Sequence, residues 1–90
     1  MSVKVNINPA LYQYTNNQGM VEVNGDTVGQ CLDHLVKQFP GIEKGLFDKK
    51  GKLLNYIDIY VNGKSAYPEE LAKPVKKGDE LHIVITIAGG

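Results

Sequence analysis

Glu80-Leu81-His82-Ile83-Val84-Ile85-Thr86-Ile87-Ala88-Gly89-Gly90 is the stretch from which the rest of the chain is read. Leu81, Ile83, Ile85 and Ile87 alternate with Glu80, His82, Val84 and Thr86, the period of two that gives a β-strand one apolar face and one mixed face. The strand runs into Ala88-Gly89-Gly90 with no turn or helix between them. Its apolar face needs a cover, and the candidates lie upstream.

The same alternation occurs in three earlier places. Val3, Val5 and Ile7 share one side of a first strand, which stops at Pro9; after a polar loop, Gln13 to Gly19, Val21 and Val23 share one side of a second. Tyr56-Ile57-Asp58-Ile59-Tyr60-Val61-Asn62 is a third, with Ile57, Ile59 and Val61 on the core side and Tyr56, Asp58 and Tyr60 on the other. Asn62-Gly63 closes it in a tight turn, and Lys64 to Tyr67 supply a short edge strand. The cover is a helix. Val28, Cys31, Leu32, Leu35, Val36 and Phe39 form one stripe at helical spacing, Thr27 stands at the N-cap position, and Pro40-Gly41 ends the pattern. Between Ile42 and Leu54 the pattern is weak: Leu46 and Phe47 read as anchors of a short turn and Asp48 to Lys52 as an exposed loop. Pro68 to Val75 reads as a short helical or irregular link before the turn Lys77-Gly78-Asp79.

Strand, strand, helix, strand, short strand, strand is an α+β order in which one main helix crosses a mixed sheet of four to five strands. A single helix covers one face only, which is why each strand carries one apolar and one polar side. The order predicts a ubiquitin-like β-grasp. In that fold the first and last strands lie parallel at the centre of the sheet. A body over residues 1–87 and a C-terminal tail over residues 88–90 follow from it.

Ninety residues suffice for one domain with a small core. Ten lysines balance ten acidic residues, and there is no arginine, which removes the basic excess and the guanidinium fork that nucleic-acid recognition relies on. The single cysteine, Cys31, cannot form an internal disulfide, an all-cysteine metal site or an iron–sulfur cluster. No signal-peptide pattern and no apolar run of about 20 residues is present, so the expectation is a cytoplasmic chain without a membrane span.

No Gly-rich phosphate loop, His-Glu-x-x-His or Cys-x-x-Cys spacing occurs. Cys31 and His34 are one helical turn apart, but Cys31 lies within the apolar stripe and reads as a small core residue. His82 points to the open sheet face as a solvated side chain. The diglycine remains. Two adjacent terminal glycines arise by chance about once in a hundred chains of this composition. Fed directly by the last strand of a β-grasp, they describe a carboxylate held out for chemistry on another protein. Ala88 to Gly90 reach at most about 10 Å, and two residues without Cβ atoms can thread a narrow channel.

Gly25-Asp26-Thr27-Val28-Gly29, Phe39-Pro40-Gly41-Ile42, Ile57-Asp58-Ile59-Tyr60-Val61-Asn62-Gly63, Lys77-Gly78-Asp79-Glu80 and Ala88-Gly89-Gly90 resemble, in order and spacing, the MoaD/ThiS family of ubiquitin-like sulfur carriers. Pro9 to Gln18 are similar to the CysO-like carriers that serve cysteine or homocysteine synthesis more than to the small subunit of molybdopterin synthase. The resemblance implies no catalytic residue, metal or bound cofactor in this chain. It implies a ubiquitin-activating-type adenylyltransferase that uses ATP on the Gly90 carboxylate, with Gly89 beside it, and a biosynthetic enzyme that accepts sulfur from the resulting thiocarboxylate. The same adenylated Gly90 could instead be passed to lysines, as in ubiquitin-like modifiers. A non-catalytic β-grasp interaction domain with an incidental diglycine is the third reading.

Partners that capture Gly90 must also grip the body beside it. Tyr56, Tyr60, Val84 and Thr86 are expected together on the uncovered face of the third and last long strands, as one aromatic and β-branched docking patch.

Overall fold

The structure, a computed structural model, describes residues 2–86. Five strands form one mixed sheet: β1 (Val3–Asn6), β2 (Met20–Val23), β3 (Ile57–Val61), β4 (Lys64–Ser65) and β5 (Glu80–Ile85), in the spatial order β2-β1-β5-β3-β4. β1 and β5 are parallel at the centre, Val5 opposite Leu81, and every other neighbour is antiparallel. This is the ubiquitin-like β-grasp that the order of elements predicts.

Helix α1 (Val28–Gln38) crosses one face. Thr27 Oγ1 accepts from the Gln30 N–H at 3.1 Å and starts it, and the Phe39 N–H, donating to the Leu35 carbonyl, closes it before Pro40. Val28, Cys31, Leu32 and Leu35 are fully buried against Val3, Val5, Val23, Ile59, Leu81 and Ile83. Val36 and Phe39, at the margin of the stripe, are half-buried. Gly29, an odd residue for a helix interior, has a packing reason: a Cβ there would lie 3.1 Å from the Leu71 carbonyl, where the 3-10 turn Glu70–Ala72 rests on the first turn of α1.

Two segments differ in detail from the reading of the sequence. The polar link between β1 and β2 contains a 3-10 turn over Pro9–Tyr14, begun by Asn8 Oδ1 accepting from the Ala10 N–H at 2.9 Å. It buries Leu11 and leads to Thr15, a fully buried polar residue whose hydroxyl donates to the Gln18 carbonyl at 2.9 Å. After α1, the one-turn helix α2 (Glu43–Leu46) buries Leu46 and, with the turn before it, Ile42. Phe47 is only half-buried: it follows α2 in an extended conformation and bridges Leu53 at the edge of the core. Asp48 to Lys52 form the exposed loop, tied by Asp48 Oδ1 accepting from the N–H groups of Lys50 and Lys52.

Candidate functional site

β5 reaches the rim of the sheet beside the start of β3. Asp58 stands opposite Val84, Tyr60 opposite His82, and the ladder continues past the strand ends, with the Thr86 N–H donating to the Tyr56 carbonyl at 2.7 Å. The Thr86 hydroxyl donates to the same oxygen at 3.3 Å. Even-numbered residues of both strands share the face that α1 leaves open. The register therefore brings Tyr56, Tyr60, Val84 and Thr86 onto one surface at the root of the tail. Tyr56 is 45% exposed, Thr86 is exposed, and Tyr60 and Val84 are half-buried. Gly89 and Gly90, like Ile87 and the boundary at residue 88, lie outside the described residues.

The patch is more polar than its four named members. Asp58 and His82 share the face by the same parity, and the alternation alone was enough to include them. Both oxygens of Asp58 accept from the Ser65 hydroxyl at 3.0 Å, so the carboxylate is oriented across the sheet rather than left loose. Beyond His82, Asn6 on β1 donates to Glu80 Oε2 at 3.3 Å. The surface thus grades from aromatic near the tail to polar over β1.

The end of the sheet opposite the tail is fixed by a side-chain lock that the sequence did not announce. Asn62 Nδ2 donates to Asp79 Oδ1 at 3.0 Å, the Lys76 N–H donates to Asp79 Oδ2 at 2.9 Å, and Asn62 Oδ1 accepts from the Glu80 N–H at 2.9 Å. These bonds hold the Asp79 carboxyl below its ordinary pKa, the Asn62 bond first and the Lys76 N–H next. Asn62 and Gly63 both have positive φ, 51° and 88°, the geometry a two-residue hairpin needs. The lock joins that hairpin to the entry of β5 and sets the register that carries the patch.

Neither candidate for thiol chemistry survives as a pair. Cys31 is fully buried, and burial, with smaller contributions from Asp26 and Asp79, pushes its thiol up to about 11. His34 is engaged elsewhere: its Nδ1 accepts from the Asn24 N–H at 2.8 Å and ties α1 to the end of β2. Among the described residues no group of three His, Cys, Asp or Glu side chains is placed to hold a metal ion, and no helix is long and apolar enough to cross a membrane.

The ThiS family pattern matches residues 5–90. The chain is 34% identical over 93 residues to the sulfur carrier protein CysO of Mycobacterium tuberculosis, with 100% of each chain covered. A crystal structure of a BexX/CysO complex from Amycolatopsis orientalis contains a chain of similar fold, with a TM-score of 0.88, 34% identity, and coverage of 98% of this chain and 99% of that one. The crystal structure of SAMP1, small archaeal modifier protein 1, from Haloferax volcanii gives a TM-score of 0.85 at 30% identity, with 100% of both chains covered. A family pattern that runs through the diglycine, relatives matched from end to end, and a shared β-grasp lead to one assignment: the chain belongs to the ThiS family and within it is CysO-like.

Proposed function

We propose that the chain is a sulfur carrier whose C-terminal Gly90 is the reacting residue. The observation that carries this reading is the match to the ThiS family through residue 90, joined to a β5 that leaves from the centre of the sheet. A free carboxylate is a poor electrophile. An adenylyltransferase of the ubiquitin-activating type, using ATP, would convert the Gly90 carboxylate to an acyl-adenylate with release of pyrophosphate. A sulfur nucleophile then displaces AMP, and the product is a thiocarboxylate. Its sulfur would be delivered inside the active site of an accepting biosynthetic enzyme, away from water.

In this chemistry the chain is a tethered substrate and contributes no acid, base, metal or cofactor of its own. Gly89 keeps the tail narrow, and Tyr56, Tyr60, Val84 and Thr86 give the partners a grip on the body. The similarity to CysO favours cysteine synthesis as the destination of the sulfur, with molybdopterin synthesis next. A step that consumes ATP is in keeping with a carrier that would act in the cytoplasm. The test is ATP–pyrophosphate exchange by the activating enzyme with the intact chain and with a chain lacking Gly90. Exchange with the first and none with the second supports the reading; equal exchange rejects it.

A second reading has its own support in the similarity to small archaeal modifier protein 1: the adenylated Gly90 would be transferred to a lysine of another protein. Isopeptide-linked remnants ending in Gly89-Gly90 on lysines of host proteins would establish that activity.

A further inference from the structure

The chain has seven asparagines, and Asn24 and Asn62 are the two followed by glycine. An unsubstituted next residue lets the backbone nitrogen approach the asparagine side chain most easily, so Asn-Gly pairs are the places where a chain modifies itself. By sequence the two pairs are equivalent, and both asparagines are exposed. Their hydrogen bonds differ. Asn62 is held at both atoms of its carboxamide, Nδ2 donating to Asp79 Oδ1 at 3.0 Å and Oδ1 accepting from the Glu80 N–H at 2.9 Å. The backbone is held at both, the Asn62 N–H donating to the Glu80 carbonyl at 2.9 Å and the Asn24 N–H to His34 Nδ1 at 2.8 Å, but among the described residues the Asn24 carboxamide meets no partner.

We propose that Asn24 is a site of spontaneous deamidation and that the bonds to Asp79 and Glu80 protect Asn62 from the same reaction. The Gly25 nitrogen gives up its proton to water or hydroxide, and its lone pair adds to Asn24 Cγ. The Cγ–Nδ2 bond then breaks, and Nδ2 leaves as ammonia after taking up a proton, which closes a five-membered imide. One water opens the ring. Addition at Cγ restores the ordinary main chain with an aspartate; addition at the former backbone carbonyl gives isoaspartate, in which the main chain runs through the side-chain methylene. No oxidant or reductant is involved.

The position gives the product a structural consequence. Gly25 is packed so closely on the first turn of α1 that a Cβ there would lie 2.7 Å from the Cys31 nitrogen. An isoaspartate at 24 lengthens the main chain just before this contact and puts a negative charge near Asp26, in the link between β2 and α1. The carrier thereby acquires a chemical age recorded in its helix entry. This inference stands independently of the sulfur chemistry.

The test is peptide mapping by mass spectrometry of the full chain, incubated at mildly alkaline pH, native and in urea, with an isoaspartate-directed methyltransferase as a second readout. In the native protein Asn24 is expected to convert at least ~10-fold faster than Asn62, the factor expected when two hydrogen bonds must be released before ring closure. In urea the two rates should converge. Equal native rates, or faster conversion at Asn62, would overturn the proposal, and so would a rate difference that persists in urea, since the folded hydrogen bonds would then not be its cause.

Discussion

Cys31 carries a thiol that the proposed chemistry does not use. It sits in the stripe between Val28 and Leu32 with no exposed surface, and its thiol is pushed up to about 11 by burial. The native protein should therefore resist thiol-alkylating reagents at neutral pH, and Cys31→Ala should cost about 1 kcal/mol while leaving thiocarboxylate formation unchanged. Loss of sulfur loading in a folded Cys31→Ala chain would assign the thiol a role in transfer. The raised value also has a pH consequence. Cys31 contributes stability that is fully present below the unfolded thiol pKa of about 8.5 and is lost as pH rises through the folded value. Urea midpoints of the wild type should fall across that alkaline window relative to those of Cys31→Ala. The fate of Cys31 was legible in the sequence because its neighbours in the stripe are apolar at helical spacing. Its distance from useful imidazole chemistry was not, since the partner of His34 is a backbone N–H ten residues away.

The β3–β5 pair is the element that turns sequence into a site. Its register places the patch, and the Asp79–Asn62 lock fixes the register. Removing the carboxylate with Asp79→Ala leaves the Asn62 side-chain amide and the Lys76 N–H without their acceptor, and should cost about 1–3 kcal/mol in chemical denaturation. Because the Asp79 carboxyl is held below its ordinary value, its contribution is present above the unfolded pKa of about 3.9 and lost as pH falls through the folded pKa. Asp79→Asn keeps one acceptor and should flatten the acid arm of the stability curve; an unchanged acid arm would mean that Asp79 does not govern it. On the open face, Tyr60→Ala and Val84→Asp should each weaken binding to the activating enzyme by ~1–2 kcal/mol without unfolding the domain. Wild-type affinity for both variants, by calorimetry, would move the docking surface elsewhere. The strands and α1 were readable because alternation and the helical stripe are long enough to repeat. The six residues of Pro9–Tyr14 and the four of Glu43–Leu46 were not, since segments this short repeat too little to show a period and are fixed by tertiary contacts of Leu11, Ile42 and Leu46.

At the scale of the molecule, a parallel β1–β5 pair at the centre of a five-stranded sheet makes the last strand the best-supported element and sends its end outward beside β3. That topology followed from the order of elements, whereas the side-chain lock and the buried Thr15 depended on contacts between residues far apart or in irregular segments. The candidate site divides the same way: the diglycine and its neighbours on the open face were visible as residues, and the oriented Asp58 carboxylate was not. Gly89 and Gly90 have no side chain to bury, so changes there are expected to cost little. Deleting Gly90, or Gly89→Val, should abolish adenylation while changing stability by no more than ~0.5 kcal/mol. The central claim is tested most directly by the intact mass of the chain after incubation with its activating enzyme, ATP and a sulfide source, under non-reducing conditions. The account predicts a mass gain equal to one exchange of oxygen for sulfur, confined to the peptide ending in Gly90 and absent without ATP. An unchanged mass with an active enzyme, or sulfur found on Cys31 instead, would contradict it.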